Sequence, residues 1–381
     1  MKIAKLTWLN NGNFGTVLQA YALQKILRNK GYEVIDINYK ASKKTKLINW
    51  AVNMNSPKLF IEKFKEKKAL DNNKEILIKR NNKIESFKRK YLIMTKEYTS
   101  PLELKKTVGE YDIYICGSDQ IWSPVLMNPV FYLNFVPDKY KKIAYAPSFG
   151  VVSTSRRKEK KISKMLSEFD KISIREDEGR KFIKKITGKK VPVLLDPTLL
   201  LEKNDWEECT SEPIIKDKYI YCYFLTENKK YLETIKKFAE TKKMKVVISP
   251  TIKGPFNTGF DEYTDVGPSE WLSLIKNAEY VCTDSYHGLI FSLIFNKNVF
   301  IFKRFTDESK ASQNSRVYTL TRLLGIEDRI LDELNLNKMS NFDKIDYLDI
   351  NEKMKKCSEK SIKWLIDAIE KNEEDIDAKC K

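Results

Sequence analysis

Apolar positions recur along this chain in two alternating periods. Residues 3–8 read as a strand and Asn10 to Gly15 as a turn. Residues 17–29 then read as a helix, with apolar side chains at Val17, Leu18, Tyr21, Ala22, Ile26 and Leu27; Gly31 ends it before a second strand at 32–37. Further strand-like runs stop at turn or polar residues: 113–116 before Gly117-Ser118-Asp119, 142–145 before Ala146-Pro147-Ser148, 171–174 before Arg175, and 191–195 before Asp196-Pro197. Past Trp206 the alternation starts again, with strands expected at 219–225, 245–249, 263–266, 280–283 and 299–302 and helices at 230–241, 269–277 and 288–295. The expected fold class is α/β, with two Rossmann-like domains of parallel sheet facing a cleft, over residues 1–205 and 206–345. A last helix within 346–381 is expected to cross back onto the first domain. Ligands in such folds bind at strand C-termini, so the loops just named are the places to look.

Composition changes this picture in one respect. The 381 residues carry 70 Lys and Arg against 52 Asp and Glu, a net charge of +18. Residues 40–96 alone hold 17 Lys and Arg against five acids, so +12 of the excess sits in what reads as a basic helical insertion of the first domain. Leu59, Phe60, Phe64, Ile76, Leu77, Ile84 and Phe87 give it helical apolar clusters. Such helices either pack on their own domain with a solvated basic face or lie on an anionic membrane surface. Nucleic acid is the least favoured partner, because no recognition motif accompanies the charge. No apolar run approaches a membrane span, and Lys2 is followed by too short an apolar core for a signal peptide. The six cysteines are widely spaced without a CxxC pair, and there is one histidine, so neither a zinc site nor a disulfide framework is expected. These features predict a cytoplasmic protein, peripheral at the inner membrane face if the basic segment docks there. Nothing in them sets an oligomeric state.

The lone histidine heads the candidate chemistry. His287, in Thr283-Asp284-Ser285-Tyr286-His287-Gly288, follows a strand and opens an apolar helix with Asp284 or Ser285 as its cap. Free N–H groups there favour a phosphate or carboxylate, and an imidazole beside a bound anion suits general-acid work. Lys303, Arg304 and Arg316, and Arg175 from the first domain, stand at strand or helix ends where guanidinium or ammonium groups complete an anion clamp. On the first-domain side, Asn11, Asn13 and Gly15 form a turn that lets backbone approach a sugar or phosphate. Ser118, Asp119 and Gln120 offer hydrogen bonds to hydroxyls, and Trp122 offers a face of the kind sugars stack on. The competing reading makes these a βα turn, a capping Asp and a buried Trp.

Taken in order, Asn11-Gly12-Asn13-Phe14-Gly15, Gly117-Ser118-Asp119-Gln120-Ile121-Trp122, Ser173-Ile174-Arg175-Glu176, Asp196-Pro197-Thr198 and Thr283 to Gly288 resemble the polysaccharide pyruvyl transferase family over about residues 2–325. The resemblance implies a fold similar to the two-domain GT-B glycosyltransferases. It also implies transfer of pyruvate from phosphoenolpyruvate to a sugar, free or lipid-linked, as a cyclic ketal, with no cofactor beyond that donor substrate. By motif position the family's donor-site histidine and arginine fall on His287 and Arg175. Where the family has Arg-Leu before the histidine, this chain has Ser285-Tyr286. That departure leaves neutralisation of the donor to Arg316, Lys303 or Arg304. A nucleotide-sugar glycosyltransferase and a non-catalytic glycan-binding relative are the alternatives; against the first, residues 285–306 contain no acid to grip a ribose diol.

Overall fold

The alternation of strand and helix in the first 205 residues builds one parallel sheet. β1 (Lys2–Leu6), β2 (Glu33–Asp36), β3 (Ile113–Asp119), β4 (Lys141–Pro147) and β5 (Lys171–Ile172) lie in the order β2-β1-β3-β4-β5. Helix α1 (Phe14–Asn29) makes the crossover from β1 to β2, and the other α-helices among the described residues of this half are α2 (Lys74–Tyr91), α3 (Pro101–Lys105), α4 (Arg156–Ser167) and α5 (Asp177–Thr187). The second half contains α6 (Lys203–Glu207), β6 (Tyr219–Tyr223), α7 (Lys229–Lys242), β7 (Lys245–Ile248), β8 (Asp261–Glu262) and α8 (Pro268–Asn277). It continues through β9 (Tyr280–Thr283), α9 (Tyr286–Ile294), β10 (Asn298–Phe302), α10 (Ser315–Leu324), β11 (Ile330–Leu331) and α11 (Leu348–Glu370). Its strands run parallel in the order β11-β10-β9-β6-β7-β8. This computed structural model describes residues 1–10, 12–43, 45, 74–125, 127–150, 153–251, 254, 257–307, 309 and 312–371.

Two runs read as strands, 191–195 and 263–266, do not form them. Residues 191–195 contribute only the bridge of Val193 to Ile174, since Pro192 has no N–H to donate and serves only as acceptor for Ile174. Residues 263–266 leave the sheet after β8 because Gly267 and Pro268 start α8 immediately beyond them.

Helix α1 lies at the centre of the molecule. Its sequence is apolar nearly all round, and the structure buries it from Phe14 to Gln24, with Ile26 and Leu27. One side packs on the first sheet. From the other, Phe14 meets Tyr223 at 6.2 Å and Trp271 at 5.9 Å between ring centroids, both from the second half. Asn13 caps it by accepting from Gly15 N, which fixes where its N-terminus points.

Helix α2 spans the same seam, so over residues 74–91 the apolar side of the basic segment packs on the protein itself, with Lys74, Lys79, Arg89 and Lys90 exposed. Leu77, Ile84 and Phe87 are buried. Arg80 stacks 3.7 Å from the Phe14 ring and donates to Pro250 O and Tyr223 Oη, while Lys83 pairs with Glu270 at 2.8 Å. Lys88 is buried against Leu9 O and Asn10 Oδ1. These cations are spent inside the protein, tying the insertion to both halves. The rest of the basic run, 46–73, falls outside the described residues. Helix α11 returns to the first half: Leu195 N donates to Ser361 Oγ at 3.2 Å, and Lys141 Nζ donates to Ile369 O at 2.9 Å. Among the described residues no helix is long and apolar enough to cross a membrane.

Candidate active site

The C-terminal ends of both sheets and the N-termini of α1 and α9 converge on one pocket of about 120 Å³. Its lining includes Asn13, Asp119 and Gln120 from the first half and Ser285, Tyr286, His287, Arg304 and Arg316 from the second. Of the residues singled out in the sequence, Asn11 lies outside the described residues, and Ser118 and Trp122 do not line the pocket. Trp122 is fully buried, stacked on Tyr132 at 5.1 Å with its Nε1 donating to Phe131 O, so it is core and presents no platform for a sugar. Ser118 is likewise buried, donating to Ala146 O at 2.8 Å and lying 3.3 Å from Asp196 Oδ2.

His287 sits in the first turn of α9 because Ser285 caps that helix, accepting from Gly288 N at 3.3 Å. Asp284, the other cap candidate, is occupied elsewhere: its carboxylate accepts from Leu225 N, Thr226 N and Thr226 Oγ1, locking the β6 loop to the end of β9. Gly288 permits this tight turn, since a Cβ there would stand 2.4 Å from Thr283 Oγ1. The imidazole then meets α1 at Gly15, where a Cβ would lie 2.2 Å from His287 Cγ and Nδ1. Gly15 therefore marks the place where the two halves touch across the active pocket. Alanine at 15 gains up to ~1 kcal/mol of helix propensity but overpacks this contact at a cost of ~1–3 kcal/mol. The net expectation is a Gly15→Ala protein with a lower melting temperature; an unchanged or raised one would show that the contact yields freely.

Behind His287 stands a buried charge network that the sequence did not announce. Asp196 is fully buried, and its Oδ1 accepts from Thr198 N at 3.0 Å and Thr198 Oγ1 at 2.7 Å. Its Oδ2 takes Arg175 Nη1 at 2.5 Å and lies 3.6 Å from His287 Nε2. Burial alone would raise this carboxyl's pKa, but His287, Arg175 and the Thr198 N–H outweigh it and hold it far below the usual carboxylate range. His287 Nε2 has no hydrogen-bond partner, although the ring is only 5% exposed. A proton on that nitrogen lies beside an anion and at the edge of the pocket.

Arg175, expected to grip a ligand directly, is placed one layer back. Its guanidinium is engaged by Asp196 and, at 3.5 Å, by Asp119, and the Tyr286 ring covers it at 4.8 Å. Against the cost of burial, Asp196 foremost keeps it firmly charged. Asp119 holds a left-handed backbone at φ 64 at the end of β3, with Thr16 Oγ1 donating to its Oδ2 at 2.6 Å. Burial opposes its ionisation, but Arg175, His287 and Thr16 together lower its pKa. Lys303 lines the pocket but pairs with Asp307 at 2.9 Å and Asp332 at 3.2 Å.

Arg316 is different. It is buried and faces the pocket, and among the described residues no carboxylate pairs with it. Burial, and after it repulsion from Arg175, brings its pKa down to about 10. Its Nη2 donates to Gln313 Oε1 at 3.2 Å, the same oxygen that Gln120 Nε2 reaches from the first half at 2.9 Å. Arg304 also lines the pocket without a paired acid among the described residues, its pKa lowered by burial. A buried guanidinium with spare donors, a second one beside it, a helix N-terminus and one imidazole make a site for a small anion that needs a proton. Among the described residues no cluster of His, Cys, Asp or Glu is arranged to hold a metal ion.

Sequence reasoning singled out neither Thr16 nor Gln313, and it met Asp196 in the Asp196-Pro197-Thr198 motif without giving it a role in the site. Asp196 alone had a legible signal, an acid at the end of a strand-like run before Pro197.

The polysaccharide pyruvyl transferase family model matches residues 13–304. No functionally curated protein matches the chain. Among solved structures it is similar to the Anabaena protein HepE in complex with UDP, at 8% identity and a TM-score of 0.54 over 97% of this chain and 99% of that one. It is also similar to the UDP-N-acetylglucosamine 2-epimerase of Rickettsia bellii, at 10% identity and a TM-score of 0.53 over 96% of each chain. These likenesses show the fold, which is the two-domain GT-B arrangement.

Proposed function

The chain belongs to the polysaccharide pyruvyl transferase family, and from that premise we propose that it moves the pyruvyl group of phosphoenolpyruvate onto two hydroxyls of a saccharide as a cyclic ketal. The acceptor is a precursor of a cell-surface or exported polysaccharide. The observation that carries this reading is the pairing, in one pocket, of the only histidine with Arg316, a buried cation without an acid partner among the described residues.

The chemistry asks for these two things. Phosphoenolpyruvate must gain a proton at its CH₂ carbon, which leaves positive charge at the neighbouring carbon for a sugar hydroxyl to attack. The C–O bond to phosphate then breaks and a second hydroxyl closes the ketal. Of the two hydroxyl protons, one is balanced by the new methyl group and the other leaves with phosphate. His287 delivers the proton to carbon, and Arg316, with Arg304 and the N-terminal N–H groups of α9, holds the carboxylate and phosphate. Asp119, Asn13 and Gln120 face the acceptor. Arg175 acts as a positioning residue through Asp196 and Asp119. Where the family has Arg-Leu, the Tyr286 ring stands 4.8 and 5.5 Å from the guanidinium carbons of Arg175 and Arg316 and offers both cations its π face.

The UDP bound to HepE raises a nucleotide sugar as the competing donor. Against it, the one acid that the second half contributes to the pocket among the described residues is Asp284, whose oxygens already serve Leu225 and Thr226. A thermal-shift panel separates the two. Phosphoenolpyruvate near 100 times its Kd is expected to raise the melting temperature by about 5 °C, and UDP-sugars to leave it unmoved. Arg316→Ala is expected to weaken phosphoenolpyruvate binding by about 10- to 100-fold. A response to UDP-sugars alone would overturn the donor assignment, and unchanged affinity in the variant would remove Arg316 from the site.

A further inference from the structure

The positive charge is segregated by domain. Residues 206–345 contain 20 Lys and Arg and 20 Asp and Glu, a net charge of zero, whereas residues 1–205 contain 42 and 22, a net +20. A lysine-rich composition would spread the excess over both halves. Within the first half, residues 156–190 hold 14 Lys and Arg against six acids, a second basic concentration that the count over 40–96 hides.

The fold shows what this concentration is for the surface. Helices α4 and α5 pack side by side, with Ile162, Leu166, Phe182 and Ile183 in one buried cluster with Ala144 of β4 and Ile172 of β5. The opposite face is exposed. Lys160, Lys161, Lys164 and Lys184 on these helices, and Lys189 and Lys190 just beyond the end of α5, are exposed and make no ion pair with any described residue. Lys185 and Lys181 are paired, with Glu159 and Glu178 at 2.7 Å each. Unlike Arg80, Lys83 and Lys88 of α2, whose charges serve the interior, these cations are free to meet a partner outside.

We propose that the outer face of α4 and α5 docks this protein on an anionic lipid bilayer. The proposal stands apart from the pyruvyl-transfer reading. The face offers charge spread across two neighbouring helices, and a bilayer of anionic headgroups attracts such a spread through every cation within a Debye length. Its apolar side chains are turned inward, so contact is adsorption without insertion. Neither helix exposes an aromatic side chain on which a nucleic-acid base could stack, which favours the lipid over a single-stranded polyanion. The loop entering α4 also abuts the pocket: Gly150 packs against Gln120, so closely that a Cβ would stand 2.0 Å from its Nε2. Docking through this face brings the acceptor side of the cleft near the membrane surface.

Co-sedimentation with phosphatidylglycerol-containing vesicles, against pure phosphatidylcholine vesicles, tests this on the full chain. The protein is expected to bind the anionic vesicles only and to be released as salt rises. Changing Lys160, Lys161, Lys164, Lys184, Lys189 and Lys190 to Gln should lower the partition coefficient by more than about tenfold. The same change at six exposed second-half lysines, Lys229, Lys236, Lys237, Lys242, Lys243 and Lys338, should leave it within about twofold, as should Gln at Lys58, Lys63, Lys65, Lys67 and Lys68. A melting curve for each variant confirms folding. Binding that survives the first set, or is lost with either of the others, overturns the proposal. So does binding to a soluble polyanion such as RNA with none to vesicles.

Discussion

His287→Ala is expected to slow phosphate release from phosphoenolpyruvate by a factor of about 10²–10⁴, the range that a positioned general acid supplies, while donor affinity stays within about threefold. The separation follows from where the charges lie. In the proposed mechanism donor binding rests on Arg316, Arg304 and the first turn of α9, none of which needs the imidazole. Proton delivery has no substitute nearby. Asp119 is held ionised by Arg175, His287 and Thr16, Asp284 is occupied by three donors, and burial pushes the Tyr286 hydroxyl well above its ordinary range. Asp119 and Tyr286 are poor proton donors near neutral pH, and Asp284, whose carboxyl pKa is raised by burial, has its oxygens tied to Leu225 and Thr226. Single-turnover phosphate release together with a donor titration by thermal shift distinguishes the effects on rate and binding. A variant that turns over at the parent rate would remove His287 from the chemistry. One that merely fails to bind donor would make it a binding residue.

The fold was legible in the sequence because its signals are local. Strand runs that stop at turn residues, such as 113–116 before Gly117-Ser118-Asp119, carry their own periodicity, and the position of His287 at a helix start follows from the Ser285 cap. The site was less legible because its contacts join residues far apart in the chain. Nothing near Arg175 says that its partner is Asp196, 21 residues on, or that Asp119, 56 residues back, shares it. Trp122 reads alike whether its face meets a sugar or Tyr132, and only the packed structure decides. The basic residues of α2 show the same limit. The apolar period predicts the helix, but Arg80 and Lys88 turn inward because Phe14, Pro250 and Leu9 happen to offer them partners. Charge counted along the chain therefore cannot tell the cations that turn inward, such as Arg80 and Lys88, from exposed ones on the same helix, such as Lys79 and Lys90; the folded surface separates them.

Asp196→Asn is the variant expected to damage both stability and turnover, and for one reason. Removing the negative charge while keeping the shape leaves Arg175 buried with Asp119 at 3.5 Å as its nearest remaining acid partner, and an uncompensated buried charge costs about 3–5 kcal/mol. The anion 3.6 Å from His287 Nε2 disappears with it, so the protonated imidazole that the reaction draws on loses its counter-charge. The pH dependence has a definite sign. The native state depresses the Asp196 pKa, so its stabilising contribution is complete above the unfolded value of about 3.9 and fades only as pH falls through and below it. The stability gap between parent and Asp196→Asn should thus narrow as pH falls from about 5 toward 3. Urea melts across that range measure it. A structural role and a positioning role part company in the double variant Arg175→Met, Asp196→Leu, which replaces the ion pair with apolar volume. That protein should regain most of the lost stability and none of the lost turnover, because the anion 3.6 Å from His287 Nε2 is gone. Recovery of both would reduce Asp196 to a support for the fold, and a gap that ignores pH would show that its carboxylate is not the group being titrated.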